Sequence, residues 1–153
     1  MRQSWTEIRS RARAFAERWK DARYERGETQ TFYNEFFEIF GVSRRRVASF
    51  EEPVKKLGGA QGFIDLFWKG TLLVEQKSAG RDLKPAKQQA FDYFPGLREA
   101  DLPRYVMLSD FKSFELYDLD EGHETTFTPL RTNERVWFQT ALKQRIEPLL
   151  SQL

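Results

Sequence analysis

Apolar residues recur at alternating intervals of three and four through the opening segment, at Trp5, Ile8, Ala12, Phe15, Trp19 and Ala22. At about 100° per residue this spacing draws one stripe along an amphipathic helix, with Arg9, Arg11, Arg13 and Arg18 mostly off it. Gly27 is the expected terminator. A second helix is predicted from Thr31 to Phe40, capped near Thr29 or Thr31 and stopped by Gly41. Its apolar face is Phe32, Phe36, Ile39 and Phe40, widened by Tyr33 and Phe37. Glu35 falls at the margin of that face, so its carboxylate should run along the core boundary.

The middle of the chain changes period. GFIDLFW and TLLVEQK are β-rich runs separated by Lys69-Gly70, which predicts a hairpin with glycine free to take positive φ. A polar loop from Ser78 to Asp82 follows. A helix is expected to begin near Pro85 and to close before Pro95-Gly96. RYVMLS and SFELYDL predict two more strands, joined through Asp110-Phe111-Lys112. A closing helix is expected from about Asn133 to Leu150, through Val136, Trp137, Leu142, Ile146 and Leu149. Glu51 and Glu52 precede Pro53 and are read as capping a helix that begins there, although Glu52 stays open as a metal ligand. The resulting order is helix, helix, strand, strand, helix, strand, strand, helix. An α/β domain with a central mixed sheet flanked by helices is the natural packing for it.

Length and composition narrow this picture little but usefully. The chain of 153 residues fits one domain, divided here into an N-terminal helix (1–28), a core (29–120) and a closing loop and helix (121–153). Hydrophobic residues make up 40% and charged residues 31%, which is a folding composition rather than a disordered one. With 14 Phe and 4 Trp, the core should be largely aromatic. No cysteine is present, which excludes disulfides and thiolate metal sites and fits the cytoplasm. No apolar run approaches the roughly 20 residues that span a bilayer, and the first residues lack a signal peptide's apolar stretch. A cytoplasmic protein with no membrane partner is expected. The net charge of +2 leaves a nucleic-acid partner open. Arginines do crowd the first 46 residues and end in Arg44-Arg45-Arg46, a run that suits phosphates or a solvated helix face equally.

The candidate chemistry lies in the predicted hairpin. Asp65 is embedded among Phe63, Ile64, Leu66 and Phe67, and Glu75 and Lys77 follow Leu72-Leu73-Val74. Residues two apart on a strand share a face, so Glu75 and Lys77 project together. A tight turn brings Asp65 alongside, with the register left open. Ionised carboxylates within an apolar strand are costly unless paired or bound to a cation. Two acids converging beside a lysine suit a hard divalent metal, Mg²⁺ first and Mn²⁺ second, which favours carboxylates, water and phosphate oxygens. Such an ion polarises a phosphoryl group and lowers the pKa of bound water, and the lysine can orient that water or neutralise phosphoryl charge. The same spacing also suits a structural Glu75–Lys77 salt bridge at a strand end.

Asp65, nine intervening residues and then Glu75-Gln76-Lys77 resemble the D-(x)n-E-x-K signature of the PD-(D/E)XK nuclease superfamily. Ile64 stands where the superfamily name has proline. Closer still, FYNEFFEIFGV, FEEPVKKLGGAQGFIDLFWKGTLLVEQKSAGRDLKPAKQQAFDYF and VMLSDFKSFELYDL resemble the N-terminal nuclease domain of the MmeI-like restriction–modification enzymes. Those are type IIL or IIG proteins that fuse cleavage to adenine methylation, and the resemblance spans roughly residues 30–120.

The resemblance implies a restriction-endonuclease-like fold and Mg²⁺-dependent cleavage of double-stranded DNA. It implies Asp65, Glu75, Lys77 and Gln89 as catalytic residues and Asp65, Glu75, Glu35 and the backbone carbonyl of Gln76 as metal ligands. Glu35 matches an acid on the preceding helix, and Gln89 with Tyr93 matches a Gln-x-x-x-Tyr pattern one helical turn long. Gln88 is the alternative glutamine. No Gly-rich cofactor loop or Asn-Pro-Pro-aromatic motif is present, so methylation and target recognition are expected from regions elsewhere in the same or a partner chain. Cutting both strands would need two sites, and hence a dimer on DNA.

Ser78 reads as loop. His123, the only histidine, has no partner at ligand spacing and reads as surface. Arg81, Lys84 and Lys87 suit phosphate contacts or plain solvation. A non-catalytic DNA-binding or interaction module is the rival to the nuclease reading.

Overall fold

The computed structural model describes residues 4–23 and 25–127. The expected closing helix lies outside the described residues, as does the side chain of His123. Three helices open the chain: α1 (Trp5–Trp19), α2 (Glu25–Glu38) and the single turn α3 (Arg44–Val47). Strands β1 (Ser49–Lys55), β2 (Gln61–Trp68) and β3 (Leu72–Gln76) follow, then α4 (Lys84–Asp92) and two 3₁₀ turns. Strands β4 (Tyr105–Ser109), β5 (Phe114–Asp118) and β6 (His123–Phe127) complete the described chain. Among the described residues no helix is long and apolar enough to cross a membrane.

Helix α1 starts where a capping box closes it: Glu7 N–H donates to Ser4 Oγ and Ser4 N–H donates to the Glu7 carboxylate. It ends at Trp19, well before Gly27, which lies inside α2. A glycine in a helix costs about 1 kcal/mol, and Glu28 compensates locally by accepting the Arg23 N–H at 3.0 Å. Helix α2 therefore begins earlier than its apolar face suggests. It stops at the expected place, where Gly41 takes φ 71.

All six strands form one sheet in chain order, and every neighbouring pair is antiparallel except β3 with β4. That pair is parallel because α4 carries the chain back across the sheet between them. Helices α1 and α2 cover one face through Leu66, Leu72, Val74, Met107 and Phe114. Helix α4 covers the other, against Ile64, Phe67, Leu73, Val106 and Leu108. Buried on both sides, β3 has no exposed residue, as a parallel-paired central strand requires. The first core is aromatic at its centre: Phe32 meets Phe15 at 4.9 Å and Phe111 edge-on at 5.1 Å, and stacks with Phe114 at 5.9 Å.

Further sequence expectations are corrected in the sheet. Pro53 opens no helix but sits within β1, an edge strand, where a missing N–H need not cost a ladder bond. Glu51 and Glu52 are strand residues as well; Glu52 accepts a hydrogen bond from Ser49 Oγ at 3.0 Å. The β2–β3 turn has three residues rather than two, since Thr71 N–H closes on the Trp68 carbonyl at 2.9 Å with Gly70 at φ 75. The α3 turn and β6 were not foreseen.

Candidate active site

Along β2, Ile64 and Phe67 both pack on the α4 side although they are three residues apart, so the strand's alternation slips between them. The slip is centred on Asp65. Opposite it in β1, Glu51 takes φ 51, a left-handed conformation unusual for a residue with a side chain. On the other side, the β2–β3 ladder runs Trp68↔Leu72, Phe67↔Leu73, Leu66↔Val74 and stops. The next pair in that register would be Asp65 and Glu75. In place of further backbone pairing, Gln76 N–H donates to Asp65 Oδ2 at 2.7 Å. A residue's N–H and C=O point to the same side of a strand, so the Gln76 carbonyl also faces this opening.

Glu75 is only 2% exposed. Its carboxylate lies 3.4 Å from Lys77 Nζ, on the α4 face of the sheet. Lys77 in turn donates to Gln89 Oε1 at 2.8 Å, Gln89 Nε2 reaches Tyr93 Oη at 3.2 Å, and Tyr93 donates to the Phe63 carbonyl at 3.0 Å. One helical turn of α4 thus fixes the lysine and returns to the strand that carries Asp65. Burial, then the charge of Glu75, raises the Tyr93 pKa and keeps the phenol a neutral donor. Gln88 points elsewhere, donating to Asp92 at 2.8 Å. Gln89 is the glutamine that touches the lysine.

Two participants were missed in the sequence. Tyr33, fully buried on α2, donates from Oη to Gln76 Oε1 at 2.5 Å, and Gln76 Nε2 donates to the Lys77 carbonyl at 3.2 Å. Burial foremost, and the charges of Asp65 and Glu75 after it, raise the Tyr33 pKa strongly. Asp110, also buried, accepts from Gly80 N–H at 3.3 Å and from Lys112, Ser113 and its hydroxyl, tying the loop after Lys77 to β4–β5. Tyr33 read as one more apolar-face residue and Asp110 as a turn. Only their tertiary neighbours distinguish them.

Glu35 is the residue the structure does not bring to this cluster. Two positions after Tyr33 it points about 200° away around the helix, toward α1. Its carboxylate accepts from Trp19 Nε1 and lies 3.5 Å from Arg18 Nη1. It lines a cleft of about 770 Å³ with Arg11, Arg18, Arg44 and Arg45. Ser78 belongs to the loop, whose next residue, Ala79, donates to the Arg23 carbonyl at 2.9 Å. Arg81 and Lys84 are exposed, while Lys87 lies 4.7 Å over the Tyr117 ring.

Among the described residues, no three His, Cys, Asp or Glu side chains gather as a ligand set. The oxygens that border the opening are the Asp65 and Glu75 carboxylates and, by strand geometry, the Gln76 carbonyl. This hard donor set fits Mg²⁺, which takes one or two carboxylates and fills its remaining positions with water and phosphate.

Residues 10–150 match the family described as MmeI, N-terminal domain. A solved structure, a cryo-electron-microscopy DrdV–DNA complex, is similar at a TM-score of 0.55 and 14% identity, over 92% of this chain and 14% of that one. The chain thus spans a small fraction of that protein's length. Its likeness lies in the fold, a mixed sheet flanked by helices. No match is found among curated proteins. Because the family match runs through nearly the whole sequence and includes every residue of the Asp65–Glu75–Lys77 cluster, the chain belongs to the MmeI N-terminal domain family.

Proposed function

We propose that this domain is a Mg²⁺- or Mn²⁺-dependent DNA endonuclease, the cleavage part of a fused restriction–modification protein. The observation that carries the reading is the convergence of Asp65, Glu75 and Lys77 at an opening in the β2–β3 ladder, with Lys77 held by Gln89. Asp65, Glu75 and the Gln76 carbonyl would hold the ion. When bound, it would supply charge stabilisation and a more acidic water. Lys77 places its ammonium beside the acids, where it orients a water or meets charge on a phosphoryl oxygen. Gln89 and Tyr93 keep that ammonium in place, and Tyr33 steadies the strand end from the opposite face. Duplex DNA is the substrate in this reading. Methylation and sequence recognition come from other regions, and a dimer on DNA would let two sites cut two strands.

The test is cleavage of a plasmid in Mg²⁺ and in Mn²⁺ by wild type, Lys77→Ala and Asp65→Asn. Asparagine keeps an acceptor for the Gln76 N–H while removing the charge, so it separates chemistry from folding. Wild type should cut, and each variant should lose about 100-fold or more in rate with an unchanged circular dichroism spectrum. Equal cutting by wild type and Lys77→Ala would sink the proposal. A second reading, a DNA-binding module without catalysis, draws on Glu35 being turned toward α1, which leaves two carboxylates at the centre. It predicts duplex binding indifferent to the metal and to Asp65.

A further inference from the structure

Among the described residues, the outer half of the β1–β2 hairpin has one covered face and one bare face. Val54 and Ile64 pack toward α4, and a Cβ on Gly62 would meet the Tyr93 ring at 2.8 Å, so positions 54, 62 and 64 face that helix. The residues between them face the other way. They are Pro53 paired with Phe63 and Lys55 paired with Gln61, and all four are exposed. Helices α1 and α2, which cover this side of the sheet elsewhere, take only Leu66 and the partly buried Phe50 and Trp68 from these two strands. Phe63 is left 56% exposed in the middle of a strand.

Two facts set Phe63 apart from an ordinary exposed apolar residue. It stands two positions from Asp65, roughly 7 Å along the strand. Its own carbonyl is the end of the hydrogen-bond chain that begins at Lys77 Nζ and passes through Gln89 and Tyr93. The ring is therefore mounted on the backbone that orients the lysine, at a fixed offset from the acid pair. Lys55 shares its face, diagonally across the β1–β2 ladder, and no acidic side chain lies among the four bare positions.

We propose that this bare hairpin face is a contact surface for the duplex being cut, with Phe63 packed against a base step or its sugars in the minor groove and Lys55 on a phosphate. The inference rests on the nuclease reading above and adds to it a surface that seats the duplex on the strand that carries Asp65. A strand placed there lies beside Asp65 on β2, with Glu75 and Lys77 reached across the opening in the β2–β3 ladder on its α4 side. An aromatic ring and a cation on one rigid surface match the two components of a duplex groove, apolar base or sugar edges and flanking phosphates. The exposed ring loses solvent contact on binding and, being part of the sheet, has little order left to gain.

The experiment is fluorescence anisotropy of a labelled duplex with the 153-residue chain in Ca²⁺ and in EDTA, where no cleavage intrudes, across a salt series. Wild type, Phe63→Ala, Phe63→Tyr and Lys55→Ala are compared, with thermal melting as the folding control. Phe63→Ala should weaken duplex binding about tenfold, Phe63→Tyr should restore it, and neither should shift the melting temperature, because the side chain is exposed. Lys55→Ala should lower the slope of log K against log salt by about 0.9. Wild-type binding with an unchanged affinity in Phe63→Ala overturns this inference and leaves the nuclease reading standing. Duplex cleavage by a wild type whose binding is matched by both Phe63→Ala and Lys55→Ala does the same. Absence of both cleavage and duplex binding in wild type overturns the nuclease reading, and this inference falls with it.

Discussion

Lys77 shows how a single side chain is made ready by its neighbours. Its ammonium has a carboxylate at 3.4 Å and an amide oxygen at 2.8 Å. The amide is itself held by Tyr93, so the long lysine stem gives up its rotamers before any substrate arrives. Gln89→Ala should therefore lower turnover about 10–100-fold through a loosened lysine, while metal affinity, measured by titration calorimetry, stays near wild type. Loss of metal binding in that variant would mean that Gln89 acts on the ion rather than on Lys77. The Asp65–Glu75–Lys77 set was legible because one short hairpin joins all three. Glu35 was misjudged because a residue at the margin of an apolar stripe can face either flanking element. Here α1 offered it an indole N–H and a guanidinium.

Among elements, the β1–β2 hairpin is fitted to α4 and to the 3₁₀ turn that follows it at two glycines. A Cβ at Gly62 would come within 2.8 Å of the Tyr93 ring, and one at Gly96 within 2.1 Å of the Lys55 carbonyl. The second clash is with backbone and cannot be relieved by a rotamer. Gly96→Ala should cost about 1–3 kcal/mol, as overpacking does, and be seen as a lower urea midpoint. Gly62→Ala should cost less stability and more activity, since the groups that must yield are side chains, Lys56 at 2.7 Å and the Tyr93 ring at 2.8 Å, and that ring's hydroxyl holds Gln89. Equal loss of activity per unit of lost stability in both variants would argue against that link. The sequence placed α4 correctly from Pro85 and the Pro95-Gly96 stop. It mistook β1 for a helix start because Pro after two acids is a common N-terminal pattern, and only pairing with β2 at the sheet edge shows what the proline is for.

For the whole molecule, the buried phenols set an alkaline limit. Tyr33 and Tyr93 have pKa values raised by burial above the ordinary 10.0. The unfolded chain loses those protons near its ordinary value while the folded chain keeps them, so between the two values the unfolded state binds fewer protons. Stability is then fully present below about pH 10 and falls as pH rises above it. Urea unfolding from about pH 8 to about pH 11 should show that decline, and Tyr33→Phe should lessen its steepness. A slope unchanged in Tyr33→Phe would remove Tyr33 from the account.

What the sequence determined by itself was local. β-rich runs bounded by turn residues made the strands, a Gly-containing turn made the hairpin, and a four-residue spacing put Gln89 and Tyr93 on one face. Within a few residues chain geometry leaves little choice, so the acid pair and its lysine could be named. The tertiary structure alone decided where β1 and β6 pair, that Gln89 reaches Lys77, that Glu35 turns away and that one face of the hairpin stays bare. Each of these depends on which of two possible surfaces an element buries, and that choice is made by distant parts of the chain competing to cover the same apolar area.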